Sequence, residues 1–197
     1  MGGGGTVVIN EIDSDQPQVD GAEFIELYGT PNMSLTGYSL VLFNGNGDVS
    51  YAVYDLDGYS IDANGFFVLG TVANANYVTI PGTGGFLQNG ADAVALFQAD
   101  SATWAAGTLV GNTNLVDAIV YGTADPADAE LLAALTPGQT QSDEGAANNT
   151  NSLSRVPDGG TPLTLSLFVA QAPTPGASNV AVQTPVNITF QVDMTGL

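Results

Sequence analysis

The chain has 197 residues, 44% of them hydrophobic, and sets 20 carboxylates against a single basic side chain, for a formal net charge of −19. It contains no His and no Cys, which removes the serine triad, the thiol nucleophile, the imidazole zinc site and the disulfide. One base cannot displace counterions from a phosphate backbone or dock on anionic lipid, so neither nucleic acid nor a membrane is an expected partner.

The hydrophobic content is that of a folding protein, and the acidity is expected to lie on its surface. No apolar stretch approaches the roughly 20 residues that span a bilayer. Met1 and the four glycines after it lack the basic and apolar regions of a signal peptide. Residues 1–5 read as a glycine-rich linker remnant, with the natural signal further upstream. Thr6–Ile12 is a β-branched run, and Glu23–Tyr28 alternates with Ile25 and Leu27 on one face. Tyr38–Phe43 runs into Asn44-Gly45-Asn46-Gly47, residues that tolerate positive φ. Val49–Tyr54, Gly65–Leu69, Ala93–Gln98 and Asn114–Tyr121 complete a series of short strands separated by Gly, Asn and Asp, the pattern of an all-β sandwich. One helix interrupts it: Asp125 is placed to cap it, Pro126 to take its first position, and Thr136-Pro137-Gly138 to stop it. From Gln171 the chain turns Pro- and Thr-rich, and 180–185 reads as a linker. In the last segment, 186–197, Val186, Ile188, Phe190, Val192 and Met194 alternate strictly with polar residues. A lone strand does not fold alone. It is read as the first strand of a following domain, or as an assembly strand donated to a sheet edge of a neighbouring copy.

VVINEID at 7–13, AEFIELY at 22–28, LTGYSL at 35–40, NGADAVALF at 89–97, LVDAIVYG at 115–122, SLSRVPDG at 152–159 and PTPGASN at 173–179 occur in the order of a bacterial lamin tail domain, and the chain resembles that family over about 6–179. The resemblance implies an immunoglobulin-like β-sandwich, here with one short helical insertion and an extra C-terminal strand. It also implies a module of a secreted or surface-attached multidomain protein, with no shared catalytic residues to carry over.

Arg155, the only base, is expected in a partly buried ion pair with Glu26, or with Glu23 or Glu11, because a guanidinium fork matches a carboxylate; the competing reading is ligand recognition. Asp13, Asp15 and Asp20, flanked by Glu11 and Glu23, are candidate calcium ligands, since calcium takes six to eight oxygens. Asp55 and Asp57, near Asn44, Asn46, Asp48 and Asp62, form a second candidate; the competing reading of both is a solvated acidic surface. No cofactor is required, and calcium is the only one the sequence suggests. Tyr51, Tyr54, Tyr59, Tyr77 and Trp104 offer stacking faces for an extracellular glycan, although Trp104 reads more naturally as a loop plug. The leading expectation is a non-catalytic structural or adhesion module whose partners are other protein modules or copies of itself. Its rivals are a filament subunit joined by strand donation, with calcium assisting, and a glycan-binding module attached to an enzyme.

Overall fold

The computed structural model describes residues 5–78, 86–146 and 149–179. In chain order its strands are β1 (Val7–Asp13), β2 (Phe24–Gly29), β3 (Ser39–Asn44), β4 (Val49–Asp55), β5 (Phe66–Gly70) and β6 (Tyr77–Val78). They continue with β7 (Asp92–Phe97), β8 (Leu115–Gly122), the helix α1 (Ala129–Leu135), β9 (Ser142–Asp143), β10 (Ser152–Arg155) and β11 (Phe168–Gln171). One sheet has the order β11-β10-β1-β2-β5-β6 and the other β4-β3-β7-β8-β9. Pairing is antiparallel except where the two-residue strands β6 and β9 join β5 and β8 in parallel. This is the expected all-β, two-sheet sandwich.

Side-chain alternation builds the core between the sheets. Ile25, Leu27, Phe67, Leu69 and Leu153 are buried there from the first sheet. On β1, Ile9 and Ile12 both belong to the core, although an odd spacing would put them on opposite faces of a regular strand. The register shift between Ile9 and Glu11 resolves this, because a bulge inserts one extra residue and resets the alternation. In the second sheet Leu40, Leu96 and Asp117 share a row, and Asp117 bonds across to β1, which marks the inner face. Phe43, Ala93 and Val120 form a row on the outer face, yet are also fully buried. Trp104 covers this side, with ring centroids 5.6 Å from Phe43 and 4.5 Å from Phe97. Leu131 and Leu135 of α1 belong to the same apolar cluster.

Two expectations need correction. The helix begins three residues later than its sequence suggests: Asp128 is the cap, its Oδ1 accepting from Leu131 N at 2.8 Å. Asp125 instead turns back to accept from Thr123 N at 3.1 Å, while Asp128 N is held by Gln141 Oε1. The acidity, moreover, is not confined to the surface. Among the described residues, eight carboxylates are buried: Glu11, Asp13, Asp15, Glu23, Glu26, Asp92, Asp117 and Glu144. The expected linker 180–185, the strand carrying Val186, Ile188, Phe190, Val192 and Met194, and residues 1–4 of the linker remnant lie outside the described residues.

Candidate functional site

The ladder between β1 and β10 consists of Glu11 opposite Ser154 and Ile12 opposite Leu153. One residue further along β10, Arg155 turns into the core, and its side chain bonds the backbone of Ile9 where the ladder has ended. Its Nε donates to Ile9 O at 2.8 Å, Nη1 to Thr161 O at 2.9 Å, and Nη2 to Asp117 Oδ2 at 2.7 Å. Asp117 in turn accepts from Ile9 N at 2.9 Å and from Leu163 N at 2.6 Å. The guanidinium carbon lies 4.6 Å from the Phe168 ring centroid. Both charged side chains are wholly inaccessible, and Asp117 belongs to β8, so the pair pins one sheet to the other. Burial raises the Asp117 carboxyl and lowers the guanidinium, while each charge opposes the shift of the other. With backbone donors on both of its oxygens, Asp117 is an ionised partner.

The expected partner Glu26 is therefore replaced by Asp117. Glu26 and Glu11 face each other across β1 and β2, and their contacts lie with the closing segment 172–179. Glu11 accepts from Thr174 N and Oγ1 at 2.9 and 3.0 Å and from Ser154 Oγ at 3.1 Å, and it also bonds Ser152. Glu26 accepts from Gly176 N at 2.6 Å and Asn10 Nδ2 at 2.9 Å. Asn179 Nδ2 donates to Asn10 O and Arg155 O, both at 3.1 Å. The carboxylates of VVINEID and AEFIELY thus clasp PTPGASN. Burial pushes the Glu26 carboxyl up to about 8 and raises that of Glu11.

Beyond the end of β1, the loop carrying Asp13, Asp15 and Asp20 folds onto itself. Gln16 Nε2 donates to Asp13 at 2.6 Å and Gln16 N to Asp20 at 3.0 Å, while Asn89 Nδ2 donates to Asp15 at 3.0 Å. Glu23 accepts from Phe86 N at 2.5 Å. Glu144 arrives from beyond β9 and accepts from Ser14 N at 3.2 Å and from the Ser14 hydroxyl. Sequence reasoning missed Glu144, which belongs to none of the motifs. Asp55 accepts from Asp57 N at 2.9 Å and Ser101 Oγ at 2.8 Å, and Asp57 from Gly37 N at 2.6 Å. Both act as turn-forming carboxylates. Among the described residues, no group of three acidic side chains is placed where it could hold a metal ion.

The aromatic residues face one another. Tyr59 stacks on Tyr77 at 4.9 Å, and Tyr54 meets Tyr77 and Phe86 edge-on at 5.9 and 6.0 Å. Tyr51 accepts from Gln88 N at 3.3 Å. A cavity of about 470 Å³ opens beside Gln139, Ser142, Leu165 and Phe168, and one of about 340 Å³ beside Val8, Tyr28 and Pro162.

The Lamin Tail Domain family matches residues 2–123, more than half of the chain. Comparison with curated proteins and with solved structures gave no match. The family span reaches through β1 to β8, and so includes Asp117. Arg155 and the clasped closing segment lie downstream of it.

Proposed function

The chain belongs to the lamin tail domain family and is a non-catalytic module, and from that premise we propose that it serves as a spacing or adhesion element of a larger protein at the cell surface or outside the cell. Its partners are other protein modules. The observation that carries this reading is how its deepest polar groups are used. Arg155, Asp117, Glu11 and Glu26 bond other parts of the same fold, locking sheet to sheet and closing segment to sheet. Such internal use suits a scaffold that holds its shape. The resemblance to bacterial members of the family supports the extracellular setting, and the lack of His, Cys and Lys suits a role without chemistry.

Light scattering on the purified full chain, and on a chain lacking residues 180–197, tests the proposal. A monomer in both cases is expected of a spacing or display module. Growth into large particles that disappears when 180–197 is removed would overturn it in favour of a filament subunit joined by strand donation.

A further inference from the structure

Val8, Tyr28 and Phe66 form one cross-strand row on β1, β2 and β5. The neighbouring Leu27 belongs to the core, so this row lies on the outer face of the first sheet. Phe66 packs against the Tyr28 ring, with 5.2 Å between centroids. The cavity of about 340 Å³ opens over Val8, and Tyr28, Gly159 and Pro162 line it as well. A Cβ at Gly159 would stand 3.0 Å from Tyr28 Cδ1, so a residue without a side chain keeps the space beside the ring clear. Its φ of 76° also favours glycine.

Asp158 lines the same opening. Its Oδ1 accepts from Asn179 N at 2.9 Å and Asn10 Nδ2 at 3.0 Å, and its Oδ2 accepts from the Ser178 hydroxyl. These neutral donors orient the carboxylate without cancelling its charge. Each carboxylate oxygen has two acceptor sites, so Oδ2 keeps one for a further donor. An aromatic ring, an apolar floor and an oriented carboxylate together suit a guanidinium: its plane lies on the ring, its stem on the floor, and its N–H groups on the acid. The fold already uses this chemistry internally, where Arg155 sits between the Phe168 ring and Asp117.

We propose that this cavity receives an arginine side chain presented by another protein module. The inference rests on the reading of the chain as an adhesion element and names what its partner must offer. Charge decides the occupant. With 20 acidic side chains against one basic one, an anionic ligand meets repulsion and a cationic one is drawn in. A second copy of the chain cannot supply the cationic side chain, because its single base is buried against Asp117. Arginine suits the cavity better than lysine, since the planar guanidinium is more weakly hydrated and stacks on an aromatic face.

A nuclear magnetic resonance titration of the isotope-labelled full chain with the peptide acetyl-Gly-Arg-Gly-amide, at an ionic strength of about 0.15 M, tests it. The same peptide with citrulline in place of arginine serves as the uncharged isostere. Saturable shifts confined to the Tyr28 ring and the Gly159 and Gly160 amides are expected with the arginine peptide, and none with citrulline. Tyr28→Leu and Asp158→Asn are each expected to weaken binding about fivefold or more. Shifts that are absent, that spread over the acidic surface without saturating, or that citrulline reproduces overturn the proposal from the wild type alone, whether or not the variants fold. Unchanged affinity in both folded variants overturns it too. The light-scattering result is independent: large particles overturn the spacing reading, whereas a monomer whose Tyr28 signals ignore the arginine peptide overturns only the pocket.

Discussion

Replacing Arg155 by Ala leaves Asp117 as an unpaired charge at zero accessibility, next to Ile9 and Thr161 carbonyls that have lost a donor. Removing one partner of a buried pair costs about 3–5 kcal/mol, chiefly through the charge left behind. The side chain also packs on Phe168, which places the expectation near the middle, about 4 kcal/mol. A domain of this kind is stable by only about 5–15 kcal/mol, so the variant is expected to retain its fold with much of its margin gone. At about 2–4 °C per kcal/mol for this size of domain, Tm falls by about 8–16 °C, read by circular dichroism and cross-checked by the urea midpoint. The double variant Arg155→Met with Asp117→Leu removes both charges and is expected to be more stable than Arg155→Ala alone. Raising the salt concentration should not narrow the gap between wild type and Arg155→Ala, because screening reaches buried pairs weakly. A loss below about 1 kcal/mol in Arg155→Ala, the range of exposed ion pairs, would refute the reasoning.

Two further substitutions probe the packing. A Cβ at Gly70 would lie 2.4 Å from Glu23 O and 2.7 Å from Phe24 Cα, both backbone atoms, so Gly70→Ala is expected to lower stability by about 1–3 kcal/mol in urea titration. Trp104→Ala uncovers Phe43 and Phe97 and is expected to cost about 3 kcal/mol, the lower end for a large aromatic because the indole is half-buried; Val19→Ser, at a residue 79% exposed, should stay within about 0.5 kcal/mol of wild type.

The strands longest in sequence were the legible ones. β1 to β5, β7 and β8 each announce themselves by β-branched or alternating apolar residues between turn residues, and their observed bounds differ from the expected ones by a residue or so. The pairs Tyr77–Val78 and Ser142–Asp143 were not legible, because two residues carry no period. Their pairing comes from the neighbouring strand. β10 and β11 were visible only as family motifs. The helix cap was misplaced because Asp125 and Asp128 both precede the apolar run, and the choice between them rests on Gln141, which is 13 residues from Asp128.

The site was less legible for a related reason. Burial of Glu11 and Glu26 depends on amides delivered by Thr174 and Gly176, about 150 or more positions away, and nothing local to the carboxylates advertises them. Asp117 did leave a signal: it is the one charge inside the apolar run LVDAIVYG. A lone base and a lone acid embedded in strands of opposite sheets are natural partners, and weighing that pattern above proximity to the opening motifs would have found the pair.

Sandwiches of the antibody class commonly fasten their sheets with a disulfide, a bond that waits on an oxidising compartment and yields to reductants. Here Arg155 and Asp117 take that place with charges present from the moment of synthesis. The fastening therefore needs no oxidase and no shuffling of partners, and it is the same in a reducing interior as in an oxidising exterior. Crossing from one to the other leaves the fold's redox history blank.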